Sequence, residues 1–411
     1  MNHPSSTAFD TQAPLNAERR QRLLQLGGGL LMASPLTWAA PDKPAPAAAS
    51  STANPVIKVG RQQAVKTLAA AAKLARDGSV IEVDAGDYPA DVAVWPQSQL
   101  SLRAVGGRVR MLANGAAAQG KGIFVMSGDA VSIEGFDFIG ARVPDTNGAG
   151  IRLERGSLSV KDCSFSRCEM GLLTNNDPNT QLDLQGCEFS FGERPGSFSH
   201  LLYAGNIAKL SVTGCYFHHG MRGHLIKSRA ALNHIFYNRL TDEIGGSASY
   251  ELEFPNGGQA LVIGNLIQQS SGSDNSHMVS FGAEGYTWPK QELQMIHNTL
   301  VDLMPTQGVY LRVKPGPAKV RLINNLLAGN RNLKTESAWE QAGNHLIDLD
   351  EFVLAMRENY ALRPNSHLRG KAVDPGAALG MALRPTRQYQ HPRSTMALPQ
   401  PARHPGAIQL P

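Results

Sequence analysis

From about residue 130 to residue 330 the chain repeats a short apolar pattern that reaches Cys or Asn, skips one residue and closes on an aromatic or aliphatic side chain. The members are Cys163-Ser164-Phe165, Cys187-Glu188-Phe189, Cys215-Tyr216-Phe217, Asn238-Arg239-Leu240, Asn265-Leu266-Ile267, Asn298-Thr299-Leu300 and Asn325-Leu326-Leu327, with Phe136-Asp137-Phe138 as a degenerate first copy. Their spacings are 27, 24, 28, 23, 27, 33 and 27 residues, a mean of 27. A fixed period of this size marks a solenoid, whose units bury their apolar faces only against neighbouring units.

A second β-type segment precedes each anchor: Gly150 to Leu153, Leu201 to Ala204, Leu225 to Ser228, Tyr250 to Glu253, Met278 to Phe281 and Tyr310 to Val313. These segments are too short for helices and alternate in polarity. Two or three short strands per turn, joined at Gly, Asn and Pro corners, predict an all-β fold, a single-stranded right-handed parallel β-helix of about 27 residues per coil. Coils stack about 4.8 Å apart, so identical inward residues form ladders, and an Asn ladder bonds along the axis. Cys fills the same position as a small buried hydrophobe. Four cysteines in an exported chain would ordinarily pair, but Cys163, Cys187 and Cys215 share one ladder position, which predicts buried thiols. Cys168 lies outside that pattern. No His and Cys pairing has zinc-finger spacing, so no metal site is assigned.

Exposed strand edges at the ends of a solenoid need covers. Residues Ala64 to Arg76, with Val65, Leu68, Ala72 and Ala75 at helical spacing, predict an N-terminal capping helix before the strand at Val80 to Val83. The β-helix is expected over residues 56–330. Beyond it, helical patterns at Ser337 to Ala342 and Glu351 to Arg357 give way to Pro-rich irregular chain, so 331–411 reads as a C-terminal cover and not a second globular domain.

The first 40 residues read as an export signal of twin-arginine type: a polar start, Arg19-Arg20, then the apolar stretch Leu23 to Ala40 broken by Gly27-Gly28-Gly29 and Pro35. An ordinary secretory signal is the alternative. A Pro/Ala/Ser linker spans 41–55, and no later stretch is apolar over the roughly 18 residues a membrane span needs. A periplasmic or secreted location is expected, with no membrane span in the mature protein.

Composition adds little to the fold but bears on partners. Hydrophobic residues make up 42% of the chain and aromatics only 6%, with 41 glycines, as closely stacked coils require. The net charge is +5, from 39 basic and 34 acidic residues. No basic run interleaved with aromatics occurs, which argues against nucleic acid. An acidic polysaccharide is a polyanion without bases and suits such a surface.

Registering the second segments on Leu173, Leu202, Ile226, Leu252, Val279 and Leu311 as inward residues turns Thr174, Tyr203, Lys227, Glu253, Ser280 and Arg312 outward. Arg229 lies two positions beyond Lys227, and Glu251 two positions before Glu253, on the same predicted face. Charges of both signs and a phenol thus gather within about three coil heights, roughly 15 Å. They form a candidate groove floor, and also a candidate structural ion pair between Lys227 and Glu253 across adjacent strands.

The stretch Gly223-His224-Leu225-Ile226-Lys227-Ser228-Arg229, followed by Leu252-Glu253-Phe254-Pro255-Asn256-Gly257-Gly258 and by Asn238 and Asn265, resembles the catalytic coils of the alginate and chondroitin lyase family of parallel β-helices. The coil pattern from about Val80 to Asn330 is similar to the wider pectate-lyase-like superfamily. The resemblance implies Lys227 as the base of a β-elimination. Two departures stand beside it: Glu253 occupies the place of an assisting Arg, and Met221 and Arg222 stand where acidic calcium ligands are expected.

Eliminating lyases neutralise a uronate carboxylate, remove the adjacent C5 proton and protonate the leaving oxygen. Arg229 or Arg222 would neutralise, Lys227 would take the proton and Tyr203 would supply one. Glu251 and Glu253, roughly 6.5 to 7 Å apart if both face outward, would alternatively ligate calcium or serve as a hydrolase pair. His200, His224 and His277 each stand two residues before an inward position, with Tyr250 between, which predicts a stacked corner ladder; His224 beside Arg222 is also placed to line the groove. The 33-residue coil carries Glu284, Tyr286 and Trp288, expected in a loop beside the binding face, where the rings would stack on sugar or pack the loop. A polysaccharide lyase, a non-catalytic glycan-binding or envelope-associated β-helix, and a glycoside hydrolase remain as readings, with Lys227, Arg229, Tyr203, Arg222, His224, Glu251, Glu253, Glu284 and Arg312 as the candidate site.

Overall fold

A computed structural model describes residues 54–410 except 194–198, 306–307 and 330. The leader and almost all of the linker lie outside the described residues. From Val56 onward the chain winds as a right-handed parallel β-helix with turns of about 27 residues. Most coils contribute three short strands, and within the solenoid the strands pair in parallel with their equivalents in neighbouring coils.

One rib is a ten-stranded parallel sheet among the described residues, running in order from Ala93–Trp95 through Gly122–Met126, Ala149–Leu153, Met170–Thr174, Leu202–Ala204, Ile226–Ser228, Leu252–Phe254, His277–Phe281 and Gly308–Val313 to Arg331–Asn332. The second rib includes Ile207–Thr213, Leu232–Phe236 and Gln259–Ile263; the third includes Glu188–Ser190, Tyr216–His218 and Arg239–Thr241. The long strands Val80–Pro89 and Ser101–Leu112 run through both of these ribs and join them into one sheet.

The predicted ladder is present. Asn238, Asn265, Asn298 and Asn325 each donate from Nδ2 to the Oδ1 of the next, at 3.0, 2.9, 3.0 and 2.9 Å, the last step reaching Asn344. Cys215 continues the column, its backbone N–H donating to Asn238 Oδ1, and all four cysteines are buried free thiols. Burial, with a smaller push from Glu169, raises the Cys168 thiol to about 11. Two residues on, Phe138, Phe165, Phe189 and Phe217 stack face to face at 5.1, 4.5 and 4.6 Å. Each such ring contributes about 2–3 kcal/mol through burial.

The N-terminal helix is shorter than its sequence pattern, Leu68–Leu74. Thr67 caps it through Ala70, and the Asp91 carboxylate accepts from the N–H groups of Leu68 and Ala69 at 2.6 and 2.9 Å. Leu68, Ala71 and Ala72 seal the end of the core.

At the other end the expected helix at Ser337 to Ala342 is corrected to a strand, Glu340–Ala342, and His345–Ile347 follows, so the solenoid continues past residue 330. Pairing to the exposed edge of Lys319–Ile323 outweighs the local helical pattern. The second expected helix resolves into two 3-10 turns, Leu349–Glu351 and Ala355–Arg357, around the strand Phe352–Leu354. The remaining chain turns back along the third rib: Arg393 meets Asp162 and Glu188, Glu358 pairs with Arg239, and Ala407 N–H donates to Thr299 Oγ1.

Candidate active site

The ten-stranded rib carries the outward column, and its register shows one correction. Leu172, not Leu173, pairs with Leu202, so Leu173 takes the outward position expected for Thr174. The bond from Gly205 N–H to Thr174 Oγ1 instead places Thr174 at the corner. The outward column reads Arg152, Leu173, Tyr203, Lys227, Glu253, Ser280 and Arg312. Arg152 was missed although Gly150 to Leu153 was recognised, because the column was registered only from Leu173 onward.

A tight corner delivers Lys227 to this face. At Gly223 a Cβ atom would lie 1.6 Å from the carbonyl oxygen of Ser199, so glycine is required for the coil below to approach. After Glu253 the chain leaves through Asn256-Gly257-Gly258, where φ is +70° and +94° at the two glycines, a left-handed corner.

Six charged or polar groups converge there. Lys227 Nζ lies 3.4 Å from Glu253 Oε2 and 3.0 Å from Glu284 Oε1. Arg229 Nη2 lies 2.6 Å from the other oxygen of Glu284, its Nε donates to the Tyr203 hydroxyl at 2.9 Å, and its Nη1 donates to Asn256 Oδ1. Both cations also lie over the Tyr203 ring, 5.7 and 5.9 Å from its centroid. Glu253 is nearly sealed, whereas Glu284 is 44% exposed at the rim.

Burial works against both carboxylates, but His224 and Lys227 hold Glu253 below the ordinary carboxyl range, and Arg229 and Lys227 do the same for Glu284. Burial likewise opposes the charge on Arg229, yet its bonds to Tyr203 and Glu284 raise its pKa above the ordinary value. Burial lowers the pKa of His224, only partly opposed by Glu253, whose Oε2 lies 3.0 Å from His224 Nδ1. His200 Nδ1 accepts from the backbone N–H of His224, and His200, His224, Tyr250 and His277 follow one another at centroid distances of 4.5, 5.0 and 6.5 Å. The expected corner ladder therefore exists, and its His224 also touches the site.

The 33-residue coil supplies the loop that covers this cluster. Glu284 reaches over the column, and Trp288 Nε1 donates to the carbonyl of Arg229 at 2.9 Å. Tyr286 packs on Phe281 and donates to the Lys314 carbonyl. Both rings hold the loop in place. Asn256, which anchors Arg229 and the loop through Gly285, was not singled out as a site residue; its place before two glycines was the available signal.

Other candidates fall outside the cluster. Glu251 is corrected: it is fully buried in line with Leu225 and Met278, because it lies just before the strand Leu252–Phe254, where the alternation of faces no longer sets its side. The Glu251 and Glu253 pair is therefore not assembled on one face. Calcium finds no matching donor set here, since Glu251 is sealed away, Glu253 is engaged by His224 and Lys227, and Met221 and Arg222 stand at the preceding corner. Arg222 is exposed there in a left-handed conformation, and Arg312 is exposed two coils beyond Glu253.

Fold and column together define a parallel β-helix with an ionised cluster on one outer rib. Among solved structures the chain is similar to pectate lyase Pel9A, with a TM-score of 0.59 and 12% identity, covering 87% of this chain and 97% of that one. No protein-family description and no curated protein sequence matches. No helix among the described residues is long and apolar enough to cross a membrane.

Proposed function

We propose that this protein is exported, binds an acidic, uronate-containing polysaccharide along the outward face of the Lys227 rib and cleaves it by β-elimination. The observation that supports this reading most directly is the Glu284 carboxylate, whose two oxygens are shared between Lys227 and Arg229 while the same guanidinium bonds Tyr203. A uronate carboxylate has the same charge and shape. Displacing Glu284, it places its charge on Arg229 and brings the adjacent C5–H toward Lys227.

In that complex Arg229 neutralises the carboxylate and so acidifies the C5 proton. Lys227, having first released its own proton to solvent, accepts the C5 proton as the free amine; the C5–H electron pair forms the C4–C5 double bond and the C4–O bond breaks. Tyr203 donates its proton to the departing glycosidic oxygen. Arg222 and Arg312, exposed at either side, extend the positive surface along the polymer.

A second reading, glycan binding without cleavage, is favoured by Glu253, whose buried carboxylate ties Lys227 to the sheet face. Incubation with a panel of acidic polysaccharides separates the two. New ultraviolet absorbance from unsaturated ends, lost in Lys227→Ala with binding retained, supports elimination. Retained binding without absorbance or new reducing ends supports the second reading. Reducing ends without absorbance assign hydrolysis to Glu253 and Glu284 and overturn both.

A further inference from the structure

On the third rib, away from the column, a second cluster is gathered by three successive coils. His218 closes the strand Tyr216–His218, His219 follows in a left-handed conformation, and Glu243 lies at the matching corner of the next coil. One ligand-type atom from each of these three side chains lies within 4.8 Å of the others. The two imidazoles face each other through Nδ1, 2.6 Å apart.

Glu188, one coil below, stands 3.4 Å from His218 Nε2. A carboxylate at that nitrogen holds the proton there and leaves the Nδ1 lone pair directed at His219, as outer carboxylates do for metal-bound histidines. Tyr216 stacks on His218 at 4.2 Å and Phe191 on His219 at 4.6 Å, so neither ring swings freely. The surrounding carboxylates of Glu188, Glu243 and Glu358 are met by Arg239 and Arg393.

We propose that His218, His219 and Glu243 bind a divalent transition metal of the zinc class through two imidazole nitrogens and a carboxylate oxygen. That donor set suits zinc and disfavours calcium and magnesium, which take oxygen ligands. At zinc–nitrogen distances of about 2.0–2.1 Å and a tetrahedral angle the nitrogens stand roughly 3.3 Å apart. Opening from the observed spacing is under about 1 Å, within reach of a small rotation of the half-exposed His219 ring. The metal joins two adjacent coils beneath the C-terminal cover, which makes it a structural clamp independent of the groove chemistry.

Chelator-stripped protein titrated with zinc chloride by calorimetry is expected to show one saturable site per chain and a raised melting temperature. Glu243→Gln is expected to weaken binding at least tenfold. Loss of Glu188 as Glu188→Gln is expected to cost about tenfold through the orientation of His218. The double variant His218→Gln/His219→Gln abolishes the site while polysaccharide binding at the Lys227 rib is unchanged. Absence of saturable zinc binding, tighter binding of calcium than of zinc, or affinity undiminished in Glu243→Gln overturns the assignment. Glu243 sits at a partly exposed corner, so that variant carries the test even if the double variant does not fold.

Discussion

Lys227 and Glu253 face each other on adjacent parallel strands with Nζ 3.4 Å from Oε2, and their side chains are only 12% and 5% exposed. At this burial the pair is a structural feature of the coil as well as a candidate catalytic one. Glu253→Gln leaves Lys227 with Glu284 alone and is expected to destabilise the fold by about 2 kcal/mol, less than the roughly 3–5 kcal/mol of a fully sealed pair. A double-mutant cycle with Lys227→Met, followed by urea unfolding, measures the coupling. A coupling near zero shows that the contact is not energetically formed.

Glu284 sits at the rim and bridges both cations of the site. Exposed pairs of this kind are worth under about 1 kcal/mol, so Glu284→Ala is expected to fold normally. With Arg229 released and Lys227 left to Glu253 alone, affinity for polyuronate is expected to rise roughly threefold to tenfold, about 0.7–1.4 kcal/mol. The gain shrinks as salt is added. Binding isotherms at two ionic strengths check this; unchanged or weaker binding shows that the polymer does not take the place of Glu284.

Burial holds His297 down to about 4, and its Nε2 accepts from Asn324. The unfolded chain protonates this imidazole near pH 6.5, whereas the folded chain does not until about pH 4. Between those values the unfolded state binds the extra proton, so this residue destabilises the fold progressively as pH falls. The stability difference between His297→Gln and the parent is therefore expected to move in favour of the variant from pH 7 to pH 4.5. Melting curves across that range test it, and a constant difference contradicts the burial of a neutral imidazole.

Asn298 links both neighbours of its ladder. Its Oδ1 receives Asn265, and its Nδ2 serves Asn325 and the Val262 carbonyl. Asn298→Ala strands several buried partners, each worth about 1–3 kcal/mol when unsatisfied. A loss of about 3 kcal/mol is expected in chemical unfolding, against less than 1 kcal/mol for a control on the exposed face such as Lys209→Ala.

Much of the architecture was legible in the sequence because a solenoid repeats its constraints. The period of 27 residues, the Asn and Cys column and the Phe column all occupy one inward position per coil, and the local pattern alone locates them. Tyr203, Lys227 and Glu253 share a column for the same reason: alternation along a strand fixes the face, and stacking fixes the neighbours. Even Glu284 was placed near that face from the length of its coil.

Tertiary structure decided what alternation cannot. Glu251 lies just before the strand Leu252–Phe254 and is sealed from solvent, and a one-residue choice between Leu172 and Leu173 moved the outward position in one coil. The open edge of the last coil recruited Glu340–Ala342 as a strand against its helical pattern. The joining of His218, His219 and Glu243 across a coil boundary carries no spacing signal, since the intervening residues wind once around the solenoid before Glu243 returns to the same corner. The sequence by itself determined the coil and the face each residue shares; only the stacked backbone decided which side chains meet, because bends, corners and loop closure depend on contacts with coils far away along the chain.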